Sequence, residues 1–405
     1  MISKKNQPSA IVAGTFDTKS TELNYIADQL RAIGIFVTTV DISTTLSNSN
    51  EDVKPVEIAA CHPDGLEAVN TGDRGSAVTA MAVAFEQWVQ LNLTSISGII
   101  SAGGSGGTSL VAPAMRCLPI GVPKVLISTV ASGDVGPYVG PTDMTMIYSV
   151  TDVQGINPIS RAVLGNGAAA LAGMILHAPE VVNKTKHKPG LGLSMFGVTT
   201  TAVQAIAASL DEKFEPYIFH ATGVGGQSME KLVDEGFISA VVDITTTEVC
   251  DMLMGGVFPS NADRFGAIIR TQVPYVGSVG ALDMINFGAP SSIPEKYFGR
   301  LFYEHNPQVT LMRTTAEECV QIAKWIVSRL NKMEGPVRFI LPELGVSALD
   351  AVGMPFHDPL ANEALFSTIK SEFIETENHK LIGSLYHIND SEFVELVVKN
   401  LYEIC

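Results

Sequence analysis

The run Ser101-Ala102-Gly103-Gly104-Ser105-Gly106-Gly107-Thr108-Ser109 follows an apolar strand pattern and opens a helical one. Glycines let a backbone approach a phosphate closely, and successive N–H groups then form an anion-binding concavity. The start of the helix adds a fixed partial positive charge. Thr108 or Ser109 offers a hydroxyl. No Gly-Lys-Ser or Gly-Lys-Thr closes the run, so it is not a Walker A loop. A tight strand-to-helix turn without ligand is the competing explanation. Four glycines in five residues exceed what such a turn requires, which favours phosphate binding.

Three further motifs sit where the same ligand would lie. Gly14-Thr15-Phe16-Asp17-Thr18-Lys19 follows the first strand. Lys19 offers a point charge to phosphate oxygens, and Thr15 and Thr18 offer hydroxyls. Asp17 or Thr18 also suits an ordinary helix N-cap. Asp41-Ile42-Ser43-Thr44 ends the second strand, where an acid in nucleotide-binding α/β folds accepts the ribose hydroxyls. Asp41 lies 27 residues after Gly14, beyond the usual spacing of about 20. Gly72-Asp73-Arg74-Gly75-Ser76 precedes a helix, and Arg74 either reaches phosphate or Asp41 or faces solvent.

The second half carries polar residues at strand ends: His220, Asp243 with Thr245-Thr246-Thr247-Glu248, Asp283 with Asn286, Glu343, and His387-Ile388-Asn389-Asp390. Brought together, they would suit general acid–base work or a divalent metal. Glu343, His387, Asp390 and Asp243 are the candidate acids, bases or metal ligands. Plainer roles compete. Thr245 with Glu248, and Asn389 with Glu392, fit capping boxes, and backbone groups can satisfy His220 and His387. No G-x-S-x-G elbow points to a serine nucleophile.

These motifs need elements to position them. Strand-length apolar runs alternate with helical patterns: strand Ala10–Val12, helix Thr21 to about Ile33, strand Ile35–Val40, helix Ala77–Leu91, strands Ile96–Ile100 and Val122–Thr129, and an Ala-rich helix over 157–177. Residues 45–75 have no period and read as a long excursion, a length that is often functional. Strand–helix alternation predicts parallel, doubly wound sheets with ligands at the strand carboxyl ends. Periodicity is lost around Pro179–Pro189. We therefore divide the chain into 1–183, a nucleotide-binding Rossmann-like domain, and 190–405, a second α/β domain with a substrate cleft. Strands at Leu191–Phe196, Tyr217–His220, Ala240–Ile244, Tyr275–Gly277, Val337–Leu341 and Leu381–Leu385 build the latter. A faint echo relates Val12–Thr18 to Met195–Thr201 and Gly104–Ser109 to Gly223–Ser228, consistent with two related halves.

Composition narrows the partners. Acidic residues outnumber basic ones 42 to 26, a formal charge of -16. Nucleic-acid binding needs clustered Lys and Arg. The densest group, Lys184, Lys186 and Lys188, flanks the linker. Five scattered cysteines without a C-x-x-C pair indicate reduced thiols in a cytoplasm. The N-terminus lacks the apolar core of a signal peptide, and the longest apolar stretch, Gly167–Leu176, is short for a membrane span.

GTFDTK (14–19), VDIST (40–44), DRGSA (73–77), GGSGGTSL (103–110), VVDITTTEV (241–249), SVGALDMINFG (278–288), GVSALD (345–350) and YHINDSEF (386–393) together carry a resemblance from about residue 10 to the C-terminus. The chain resembles the family that contains the ATP-binding N-terminal domain of the tomato mosaic virus resistance protein. That resemblance implies two Rossmann-like subdomains with ATP in the first; whether Mg²⁺ accompanies the nucleotide stays open. It implies a nucleotide site of Gly14, Thr15, Thr18, Lys19, Asp41, Ser43, Arg74 and Gly103, Gly104, Ser105, Gly106, Gly107 and Thr108. It further implies a homodimer. Plant members carry an added barrel resembling phosphoenolpyruvate hydrolases, which this chain would meet only as a separate partner. The expected function is an ATP-binding protein acting on a small metabolite in a cleft between its domains. The alternative is a non-catalytic, nucleotide-dependent protein-binding module.

Overall fold

The computed structural model describes residues 8–46, 49–178 and 188–405. Lys184, Lys186 and most of the expected linker lie outside these residues. The chain divides into two compact units between residues 182 and 183.

The first unit alternates strand and helix: β1 (Ser9–Gly14), α1 (Phe16–Ala32), β2 (Phe36–Asp41), α2 (Pro55–Ala59), α3 (Arg74–Leu91), β3 (Ile99–Gly103), α4 (Ser105–Cys117), β4 (Lys124–Ser128), α5 (Gly136–Val139), β5 (Thr145–Tyr148) and α6 (Pro158–Leu176). Its five strands are parallel in the order β2-β1-β3-β4-β5. Strand period 2 sends alternate residues to opposite faces. Ala10 and Val12 pack with Leu23, Ile26 and Leu30 of α1 and Leu164, Ala168 and Leu171 of α6. Ile11 and Ala13 pack with Met81, Phe85 and Val89 of α3 and Leu110, Val111 and Met115 of α4.

Helix α6 has 19 residues and is apolar enough, by length and composition alone, to cross a membrane. The expected stretch of Gly167–Leu176 therefore understated it. Its buried side chains belong to the core beneath the sheet. The expected excursion at 45–75 is also less formless than its sequence. Val53 bridges Val40 in parallel fashion, and the short α2 follows.

The second unit runs β6 (Gly190–Met195), α7 (Thr200–Leu210), β7 (Glu215–His220), α8 (Val224–Asp234), β8 (Ile238–Thr245), α9 (Glu248–Met254), α10 (Gly266–Thr271), β9 (Tyr275–Gly280), β10 (Met284–Phe287), β11 (Phe302–Asn306), β12 (Val309–Arg313), α11 (Ala316–Leu330), β13 (Val337–Pro342), α12 (Pro359–Glu372), β14 (His379–Ser384) and α13 (Ser391–Ile404). Six parallel strands follow the order β14-β13-β9-β8-β6-β7. Read from the β7 edge and counting only the strands of this sheet, the order is 2-1-3-4-5-6. The first unit follows the same 2-1-3-4-5 scheme, as the motif echo anticipated. Leu191, Val242 and Ile340 face α7 and α13, whereas Val241, Tyr275 and Phe339 face α8, α11 and α12. An antiparallel sheet, β10-β12-β11, is inserted after β9. The strand–helix alternation offers no sign of it.

Candidate functional site

In an open parallel sheet of order 2-1-3-4-5, the connections leave β1 and β3 on opposite sides, and a crevice opens between the two strand ends. The loops after β1 and β3 meet there. They line a cleft of about 700 Å³ together with residues 69–78 from the end of the long excursion and the start of α3. Thr15, Thr18, Lys19, Arg74, Gly103, Gly104, Ser105, Gly106 and Gly107 all line it. Nine predicted residues from three separate segments are thus brought to one place.

Helix α4 presents its N-terminus to the cleft. Its ladder begins with the Thr108 amide donating to the Gly104 carbonyl at 2.9 Å. The amides of Ser105, Gly106 and Gly107 precede that bond and have no intrahelical acceptor. No side chain caps them. The glycines themselves are not demanded by packing. A Cβ built on Gly106 or Gly107 meets nothing within 4 Å, and neither residue has positive φ. In a helix each glycine is roughly 1 kcal/mol less favourable than alanine. The fold gains nothing from them, so the open space they keep is their consequence.

Helix α1 differs. The Phe16 amide donates to Asp41 Oδ1 at 3.2 Å, and the Asp17 amide donates to Ser43 Oγ at 3.2 Å. Ser43 also donates its amide and hydroxyl to Asp41 Oδ1. Asp41 and Ser43 are buried and do not line the cleft. The expected ribose contact is therefore replaced by a brace that ties the second strand's end to the start of α1. Gly14 is likewise buried within β1. Thr108 is fully buried too: its hydroxyl donates to the Gly104 carbonyl at 2.9 Å and lies 2.6 Å from Ser128 Oγ. It locks α4 to β4 and offers no hydroxyl to a ligand.

Charge in the cleft is unevenly satisfied. Lys19 Nζ donates to Gln154 Oε1 at 2.9 Å, a neutral partner. Arg74 is exposed and makes no hydrogen bond or ion pair among the described residues. Both cations thus keep their charge for a ligand. Asp73 caps α3 through the Ser76 amide, and that amide and the Ser76 hydroxyl hold its carboxyl below the usual range. With Asp17 and Asp152, the lining carries three carboxylates against Lys19 and Arg74. Val69, Ala77, Val78 and Leu110 form an apolar wall. Thr44, from the Asp41 motif, also lines the cleft, as do Asn70, Thr71, Thr45 and Asp152, which were not foreseen. Asn70 and Thr71 adjoin the Arg74 motif, so that signal was present; Asp152 arrives from the turn after β5 purely through tertiary folding.

The expected catalytic cluster assembles only in part: the loops after β13 and β14, which carry Glu343, His387 and Asp390, run side by side, whereas Asp243 stays within the core. Asp243 is fully buried in β8, with Oδ2 accepting from Arg264 at 2.7 Å and from the Tyr275 hydroxyl at 3.2 Å. Arg264 also donates to Glu230 at 2.9 Å and to Glu248. One guanidinium therefore holds three carboxylates in the core. Glu343 is ion-paired with Lys370 at 2.8 Å. His387 has both ring nitrogens engaged: Nδ1 accepts from the Asn389 amide at 3.1 Å, leaving Nε2–H to donate to the Ser347 carbonyl at 2.8 Å. Asp390 accepts the His387 amide at 2.7 Å. These groups are engaged with the backbone or with an opposite charge, while Asp243 Oδ1 has no hydrogen-bond partner among the described residues.

Neither expected capping box forms. The Thr245 hydroxyl pairs with that of Thr199, Glu248 turns to Arg264 and the Gly223 amide, and Asn389 bonds Ala202 and Val198. Asp283 is buried, with Oδ2 accepting from the Ser347 hydroxyl at 2.7 Å and Oδ1 unpartnered. Burial, then the nearby Asp350, pushes its carboxyl up to about 7. Among the described residues no group of three or more His, Cys, Asp or Glu side chains is arranged to hold a metal.

Two family models match, both described as uncharacterised protein family UPF0261: the N-terminal domain over 8–180 and the C-terminal domain over 188–405. A UPF0261 protein of Mesorhizobium japonicum is 52% identical over 387 residues, covering 95% of this chain and 96% of that protein. One from Rhizobium meliloti is 50% identical, covering 96% of each. The ToMV resistance protein Tm-1 of Solanum lycopersicum is 42% identical over 99% of this chain, which spans 56% of that longer protein. Solved structures resemble the chain only loosely: an esterase domain from Rhodothermus marinus has a TM-score of 0.28 at 8% identity, covering 53% of this chain and 85% of its own. Both units thus match, in order, the two halves of one family, and the chain belongs to the UPF0261 family.

Proposed function

We propose that the first unit binds ATP, with the phosphates against the amides of Ser105, Gly106 and Gly107. The observation that carries this reading is that Gly106 and Gly107 guard open space at an uncapped helix N-terminus on the switch-point cleft. Lys19 and Arg74 would meet the phosphate oxygens, and Thr15 and Thr18 would donate hydroxyls. The wall of Val69, Val78 and Leu110 suits the apolar face of a base. The cleft's volume of about 700 Å³ falls in the range usual for small-molecule sites.

The fit is better for Mg²⁺-ATP than for ATP alone. Three carboxylates against two cations leave the lining net negative, which opposes a bare triphosphate. A divalent ion held between the phosphates and Asp17 or Asp152 would reverse that opposition, since Mg²⁺ is characteristically bound by one or two carboxylates plus phosphates.

Two uses of the nucleotide divide on turnover. In the first, ATP is consumed on a small metabolite. In the second, it stabilises a protein-binding conformation, and a second copy of this chain or a separate barrel protein is the partner. The second reading is favoured by the engagement of Glu343, His387, Asp390 and Asp243 in structural pairings. Calorimetric titration with ATP, ADP and NAD, with and without Mg²⁺, tests the site. Saturable ATP binding that needs Mg²⁺ supports it; no heat with any nucleotide in a folded sample overturns it. Phosphate release under saturating ATP then separates enzyme from module.

A further inference from the structure

The second unit repeats the switch-point geometry, and there the lining is of a different chemical kind. Chains leave β6 and β8 on opposite sides of the sheet, so its crevice falls beside the end of β6. A chamber of about 200 Å³ opens at that place, walled by Phe196 and Val198 of the loop after β6. Both side chains are buried. Gly197, between them, lines the same space: a Cβ built there meets nothing within 4 Å, and its φ is not positive. As at Gly106, the fold does not require a glycine at this position, and its effect is to leave room.

The inserted antiparallel sheet completes the wall. Val309 and Leu311, two apart on β12, point into the chamber from one face. The pairing of β11 with β12 slips between Glu304 and Asn306, a bulge centred on His305. Bulges re-aim a side chain, and they are enriched beside functional sites. His305 lines the chamber, as does His220 at the end of β7, whose ring lies 5.1 Å from that of Phe196. Partial burial lowers the His220 imidazole below its ordinary value.

We propose that this chamber is a second ligand site, one that takes a small uncharged molecule bearing a single ring, held by apolar walls with the His220 and His305 rings among them. The size argues for one ring: an apolar cavity of about 150 Å³ suffices for benzene, and 200 Å³ leaves room for one short substituent. The apolar walls argue against a charged group, because burying an unpaired charge there is costly.

The test uses the full chain with benzyl alcohol, benzoate and benzylamine as probes, followed by NMR of the histidine rings and valine methyls. Benzyl alcohol is expected to shift the His220, His305 and Val198 signals saturably, and to bind at least about tenfold tighter than either ion, a difference of about 1.4 kcal/mol. Gly197→Leu fills the chamber and should abolish those shifts without lowering the melting temperature. Should that variant fail to fold, Val309→Phe fills the same space from the opposite wall. Absence of saturable shifts, equal binding of the three probes, or unaltered binding in a folded filled variant would each overturn the proposal.

Discussion

Gly106→Leu separates a glycine kept for the fold from one kept for a ligand. If packing or backbone geometry required Gly106, any side chain would destabilise the unit. The structure argues the reverse. Residue 106 lies in the first turn of α4, its φ is not positive, and a Cβ there has no neighbour within 4 Å. Replacing a helical glycine with leucine should then stabilise the fold by about 0.5–1 kcal/mol, which raises the melting temperature by roughly 1–4 °C for a unit of this size. The same side chain projects over the amides of residues 105–107. Two charge-assisted hydrogen bonds to phosphate lost at about 1.5–3 kcal/mol each weaken binding by at least about a hundredfold. Differential scanning calorimetry and isothermal titration of one preparation read both quantities. Stability and affinity should move in opposite directions. A lower melting temperature would show that the glycine serves the fold, and unchanged ATP affinity in the folded variant would refute the site.

Three further outcomes are expected. Removing Mg²⁺ with EDTA should weaken ATP binding at least about tenfold, and Asp17→Asn should reduce that metal dependence; titrations at matched ionic strength decide it. Arg264→Met should destabilise the second unit by about 3–5 kcal/mol, because Glu230, Glu248 and Asp243 would be left buried without their shared cation; urea unfolding followed by fluorescence measures this, and a loss under about 1 kcal/mol would contradict it. Asp283 holds its proton in the folded state up to about pH 7 but releases it near pH 4 when unfolded. The folded state thus binds more protons between these values, so this group's stabilisation is complete at acid pH and falls as pH rises through 7, by up to about 1.4 kcal/mol per pH unit. Asp283→Asn should flatten that slope between pH 5 and pH 7, and an unchanged slope would place the proton elsewhere.

How much was legible in the sequence follows from how local each signal is. Gly103–Gly107, the Thr15–Lys19 loop and Arg74 were recognisable because strand-to-helix junctions announce themselves within a few residues, and parallel α/β topology sends such junctions to one edge of the sheet. The alternation of strand and helix likewise determined the class of both units. Only the tertiary structure decided which hydroxyls and carboxylates face the cleft. Asp41, Ser43 and Thr108 have the right types in the right places, yet they turn inward, because buried amides and hydroxyls beside them need acceptors more than solvent does. Asp243 was misread for the same reason: its partner, Arg264, lies 21 residues away and comes from beyond α9. The antiparallel sheet and its bulge at His305 were invisible, since strand pairing and register join residues that no local pattern connects. The sequence by itself therefore determined the scaffold and the glycine cradle, which depend on periodicity and on the absence of side chains. The roles of the polar residues were decided by folding, because a hydrogen-bonding group is defined by its partner, and those partners lie far away in the chain.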